Sequence, residues 1–144
     1  MEITVPIAQT WQKISLPSEL ISLRDAEKFI QDFCLECKVD DSLYSDIRVA
    51  VLEAASNAIK YGHQEHRARL FYIECNLYEN HILKFVVSDC GEGFDFENVP
   101  DPTDSVNIEK IGGRGVYLMR KLADKCTFKK GGSEVVLEFE LGRS

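Results

Sequence analysis

Glu53, Asn57 and Lys60 stand at i, i+4 and i+7 in a stretch otherwise rich in Ala, Leu and Ile. On a helix that spacing puts a carboxylate, an amide and an ammonium on one face. If the row is buried, each group needs a partner, because an unpaired buried polar group costs on the order of a few kcal/mol. A magnesium triphosphate suits all three. The Asn oxygen is a hard ligand for Mg²⁺, Lys60 can neutralise phosphate, and Glu53 can act as a base. The plainer alternative is a solvated helix face whose polar residues meet one another at i+3 and i+4.

Two glycine loops follow. The run Phe85-Val86-Val87-Ser88 leads into Asp89-Cys90-Gly91-Glu92-Gly93. A carboxylate at a strand end can accept a hydrogen bond from an exocyclic amine, and the glycines let the backbone approach a flat ring. Further on, Gly112-Gly113-Arg114-Gly115 opens a helical pattern. Backbone N–H groups at a helix N-terminus form an anion site, and Arg114 adds charge to it. No Gly-Lys-Ser/Thr follows, so this is not a P-loop. A Rossmann fingerprint would follow the first strand, and this loop does not. Taken singly, these loops also read as a capped β-turn and a flexible hinge.

In this order the three motifs resemble the N, G1 and G2 boxes of the GHKL (Bergerat-fold) superfamily of ATPases and kinases. The resemblance covers roughly residues 40 to 141. It implies that Asp89 binds the adenine amino group, with Gly91 and Gly93 beside it. It further implies that Asn57, Lys60, Gly113, Arg114 and Gly115 hold ATP, and that Asn57 reaches Mg²⁺. The pattern Glu53-Ala54-Ala55-Ser56-Asn57-Ala58-Ile59 and the helix from Arg114 to Arg120 look most like the bacterial anti-sigma-factor serine kinases. Tyr61 departs from them, since many have His there, but no role above depends on it.

That resemblance implies an ATP-dependent serine kinase with Glu53 as the catalytic base. Its partners are an anti-anti-sigma antagonist, which it phosphorylates, a sigma factor, and a second copy in a homodimer. A nucleotide-binding regulatory module that binds a partner without phosphotransfer is the alternative. Glu53 one turn before Asn57 favours the enzyme. A detached histidine-kinase domain is a third reading, and it would place acid-labile phosphate on histidine.

The elements that must position these residues are legible from periodicity. Residues 10 to 16 read as a strand. Leu23, Ala26, Phe29, Ile30, Phe33 and Cys37 give an amphipathic helix to about residue 38, with Ser22 as its N-cap. Asp40-Asp41-Ser42 caps a second helix running to Tyr61. Strands are expected at 69–78 and 82–89, a short helix at 116–124, and a closing hairpin of 126–130 and 134–141 across Gly131-Gly132. Between Phe94 and Ile111 two prolines and five acidic residues read as a solvated, mobile loop, of a length that is usually functional or disordered. The fold class implied is α+β: a two-layer sandwich with a mixed, mostly antiparallel sheet and helices on one face.

At 144 residues the chain reads as a single domain, residues 1–144. Its 24 acidic and 17 basic residues give a net charge of -7, which argues against a direct nucleic-acid binder. No apolar run suggests a membrane span, and the start lacks the features of a signal peptide. Five cysteines, an odd number, fit reduced thiols and a cytoplasmic home. Cys34-Leu35-Glu36-Cys37 spells C-x-x-C, but its place in the apolar helical stripe reads as core rather than zinc ligation. His63, His66 and His81 read as surface residues.

Overall fold

The computed structural model describes residues 11–62, 69–89 and 113–142. Five strands form one sheet in the order β1-β2-β3-β5-β4: β1 Gln12–Pro17, β2 Leu70–Leu77, β3 Ile82–Ser88, β4 Lys125–Lys129 and β5 Glu134–Glu140. Among the described residues every ladder is antiparallel, in keeping with the mostly antiparallel sheet expected, and none of the strand pairs is parallel. The reason is topological. β2–β3 and β4–β5 are hairpins, and β5 slots between β3 and β4, so no parallel crossover is needed.

Alternation along each strand decides which face is covered. Phe71 aligns with Leu16, while Ile73, Cys75 and Leu77 align with Val87, Phe85 and Leu83, and these with Val135, Leu137 and Phe139. All are buried. Helices α1 (Ser22–Glu36) and α2 (Asp41–Asn57) lie on this face. They contribute Ala26, Ile30 and Phe33, and Leu43, Ile47, Ala50 and Val51. Phe85 sits at the centre, edge-on to Phe33 and to Phe139 at ring-centroid distances of 5.8 Å. On the other face charges alternate across strands: Lys13 opposes Glu74, and Glu138 lies between Lys84 and Lys125. Such opposite-sign pairs stabilise an exposed sheet surface modestly.

The second helix begins as its sequence demands, with Asp40 Oδ1 accepting from the Leu43 N–H at 2.8 Å. The first does not. Its N-cap is Ile21, already in helical geometry, and Ser22 is a buried residue of the first turn whose N–H donates to the Glu19 carbonyl. The turn from Glu19 supplies what a capping side chain would. After Asn57 the chain winds more widely, in a π-helical turn over Ala58–Gly62. Helix α3 spans Gly113–Leu122, so Gly113, Arg114 and Gly115 lie inside its first turn rather than ahead of it. The acidic loop expected at 94–111 lies outside the described residues, as do His63 and His66. His81 is exposed in the β2–β3 turn at φ 63°.

Cys34 and Cys37 are both buried in the core with Cys75. Burial pushes the Cys34 thiol from 9.0 up to about 12, with neighbouring Cys37 adding to the shift, and pushes Cys37 up to about 11. Among the described residues no group of three His, Cys, Asp or Glu side chains is placed to hold a metal ion. In the folded protein these thiols stay protonated where unfolded thiols would ionise. Their contribution to stability is therefore complete below about pH 9 and lost as pH rises toward about 12. Labelling by a thiol reagent at pH 8 is expected to be slow for Cys34, Cys37 and Cys75 until denaturant opens the core. Rapid stoichiometric labelling of the native protein would contradict that burial.

Candidate functional site

The end of α2 is built from small residues. Ala54, Ala55 and Ala58 are buried, and α3 packs against this stretch. The approach is closest at Gly115. A Cβ there would stand 3.0 Å from Glu53 Oε2, 3.2 Å from Asn57 Nδ2 and 3.4 Å from Asn57 Oδ1. Any larger residue at 115 would crowd both side chains, and the structure thereby joins the first and third sequence motifs in one place.

Asn57 is 8% exposed, and its Nδ2 is buried without a hydrogen-bond partner among the described residues. Leaving such a donor unpaired costs about 1–3 kcal/mol. A side chain held this way beside a helix N-terminus calls for a ligand acceptor. The first turn of α3 offers N–H groups that have no helical partner. Asn57 supplies one further donor there, and its amide oxygen is the hard atom a divalent cation prefers. The residues present therefore fit a phosphate with its metal.

The other expected site residues divide. Glu53 is half-buried and lies against Gly115. Lys60 is exposed on the π-helical turn, so the widened winding breaks the simple i, i+4, i+7 row that included it. Arg114 is exposed on the first turn of α3, one residue after Gly113. Asp89 follows the last residue of β3, and its N–H donates to the Ser133 carbonyl at 3.0 Å. Gly91 and Gly93 lie outside the described residues.

Ser133 is a positioning residue that the sequence reading missed. It is buried, its hydroxyl donates to the Lys130 carbonyl at 2.9 Å, and its own carbonyl fixes the start of the Asp89 loop. The preceding turn is left-handed at Lys130, Gly131 and Gly132, with φ of 54°, 68° and 99°. The signal was Gly131-Gly132-Ser133 itself, which reads as an ordinary hairpin turn until β5 is placed beside β3.

Gly115→Ala tests the close approach. The added methyl must push the Glu53 carboxylate or the Asn57 amide aside, and forced overpacking of this kind costs about 1–3 kcal/mol. Affinity for a fluorescent ATP analogue is expected to fall about tenfold, read by titration, with the helical content unchanged by circular dichroism.

The family model of the histidine kinase-like ATPase domain matches residues 16–139. The chain belongs to this family. Among curated relatives, the serine-protein kinase RsbW of Oceanobacillus iheyensis is 33% identical over 85 residues, which cover 55% of this chain and 53% of that protein. The serine-protein kinase RsbW of Staphylococcus aureus strain MSSA476 is 32% identical over 92 residues, covering 59% and 57%. The chain thus spans about half the length of the curated relatives it matches. A solved structure of the RsbU and RsbW domains of a Mycobacterium tuberculosis protein superposes with a TM-score of 0.68 over 93% of this chain and 33% of that one. At 18% identity that likeness speaks for the fold, an α+β sandwich. Membership of the ATPase family agrees with the ligand that Asn57 and α3 favour. No helix among the described residues is long and apolar enough to cross a membrane.

Proposed function

We propose that this histidine kinase-like ATPase domain is an ATP-dependent serine protein kinase of the anti-sigma type. The observation that carries the reading is the meeting of Glu53, Asn57 and Gly115 at the N-terminus of α3. It puts a carboxylate beside an anion site, where a base for a hydroxyl nucleophile is needed. The relatives that bear the name serine-protein kinase RsbW support the same choice over a histidine-directed kinase.

In this reading Asp89 accepts from the adenine amino group, held at the strand end by Ser133. Asn57 holds the phosphates and the metal, with Gly113, Arg114 and Gly115 at the helix start and Lys60 supplying charge from the π-helical turn. Gly91 and Gly93, outside the described residues, are assigned to the adenine by the same reading. Bound Mg²⁺ contributes neutralisation of phosphate charge. Glu53 orients the serine hydroxyl and takes its proton as the phosphoryl group transfers. The acceptor is an anti-anti-sigma antagonist, the second ligand a sigma factor, and the assembly a cytoplasmic homodimer.

The test is ATP–Mg²⁺ binding together with phosphate transfer to purified anti-anti-sigma proteins. Phosphate that survives acid and maps to serine supports the kinase. Tight nucleotide binding with no transfer to any candidate would instead favour a nucleotide-gated binding module, and acid-labile phosphate a histidine kinase.

A further inference from the structure

Charge is segregated along this chain. From Gly113 to Lys130 there are six basic residues against the single Asp124, a net of +5 in a protein of net -7, which leaves -12 on the remainder. Part of that basic run has a local explanation. Lys125 and Lys129 lie opposite Glu138 and Glu134 on the edge strand β4, where lysine also discourages edge-to-edge pairing. Lys130 contacts Glu134 at 3.6 Å. On helix α3, Arg114 and Lys121 have no such account. Its inward side is Val116 and Met119, both buried, while Arg114, Tyr117 and Lys121 recur at i, i+3 and i+7 on the outward side.

That outward side is preorganised. The Lys121 ammonium lies 5.7 Å from the Tyr117 ring centroid, and the Arg120 guanidinium 5.7 Å from that of Phe128. Tyr117 is nevertheless 37% exposed. Arg114 and Lys121 are in no ion pair among the described residues. Tyrosine and arginine dominate the energetic centres of protein interfaces, and cations stacked on rings lose little freedom on binding. The same helix begins at Glu53 and Asn57, so a protein lying along it has its nearest hydroxyls delivered to the reacting end of the nucleotide.

We propose that the outward face of α3, made of Arg114, Tyr117, Arg120 and Lys121, is the docking surface for an acidic patch on the phosphoacceptor protein. This rests on the kinase reading above and adds the surface through which the acceptor arrives. The positive helix in an otherwise acidic molecule orients the encounter, because the rest of the surface repels the same partner.

The test uses the full chain with Arg120→Glu/Lys121→Glu and, because Arg120 packs on Phe128, Lys121→Glu alone. With an anti-anti-sigma protein that the wild type phosphorylates, the double variant is expected to associate about tenfold more slowly at low salt, and the single variant by a smaller factor. Both should keep wild-type ATP affinity, and the single variant should keep the wild-type thermal midpoint as well. Added salt should erase the difference. Poly-L-glutamate is a second probe that asks nothing of the kinase reading, and it should bind the wild type more tightly than either variant. Equal association rates, equal poly-L-glutamate binding, or a loss confined to a single-stranded oligonucleotide each overturn the docking surface. Discrimination by poly-L-glutamate without any phosphate transfer upholds the acidic docking surface while removing the kinase.

Discussion

Glu53→Ala is expected to lower phosphoryl transfer by about 10²–10⁴-fold, the usual contribution of a positioned general base, while ATP–Mg²⁺ still binds. The division follows from the geometry. Asn57 carries the buried donor that lacks a partner among the described residues, and in the proposed reading the first-turn N–H groups of α3 would take the phosphates, so ligand retention would not depend on the carboxylate. Glu53 Oε2 would stand 3.0 Å from a Cβ at position 115, and its proposed work is on the serine hydroxyl rather than on the nucleotide. Glu53→Gln is the stricter variant because it keeps the shape beside Gly115 and removes only basicity. Single-turnover transfer with radiolabelled ATP reads the loss, and equilibrium titration reads binding. A Gln variant that transfers phosphate at the wild-type rate would remove Glu53 from the chemistry. A variant that loses ATP as well would move it into the binding set.

The largest effect on stability is expected at Phe85. Its ring is fully buried and meets Phe33 of α1 and Phe139 of β5 edge-on, so it ties the helical layer to the middle of the sheet. Phe85→Ala removes that volume where neighbours from three elements cannot all collapse inward, and costs about 3–5 kcal/mol. Each kcal/mol lowers the melting temperature of a domain this size by about 3–4 °C, so a drop of roughly 10 °C or more is expected in a thermal scan. Phe85→Leu should recover most of it. An Ala variant within 2 °C of wild type would mean that the core relaxes around the gap, since about 0.5 kcal/mol is then all that was lost.

Much of this was legible because the physics is local. Alternation from Phe71 to Leu77 and from Leu83 to Val87 announces two half-buried strands, and Asp40 announces a helix start that the Leu43 N–H confirms. Glu53 and Asn57, one turn apart, and a glycine run before a helix are equally local signals. What escaped depends on contacts distant in sequence. Nothing near Asn57 states that the helix widens at Ala58 and leaves Lys60 in solvent. Ser22 looks like a cap, yet a turn from Glu19 does that work and Ser22 is buried. Ser133 acquires its role only when β5 pairs with β3, since Ser88 and Glu134 are then opposite and the Asp89 N–H reaches across. The strand order β1-β2-β3-β5-β4 has the same origin, because it is decided by where a hairpin docks and not by the hairpin itself.

That docking order has a temporal consequence. A chain grows from its N-terminus, so β1 to β4 and all three helices exist before β5 is made. Yet β5 is the strand between β3 and β4, and it carries Leu137 and Phe139 into the centre of the core. Until it arrives, β3 presents a bare hydrogen-bonding edge and β4 has no sheet to join. The nascent domain therefore holds an open slot shaped for one strand, a state in which a foreign strand could insert. Closure of the slot also brings the Asp89 N–H to the Ser133 carbonyl, so the proposed adenine-binding carboxylate is fixed in the same step that ends the exposure.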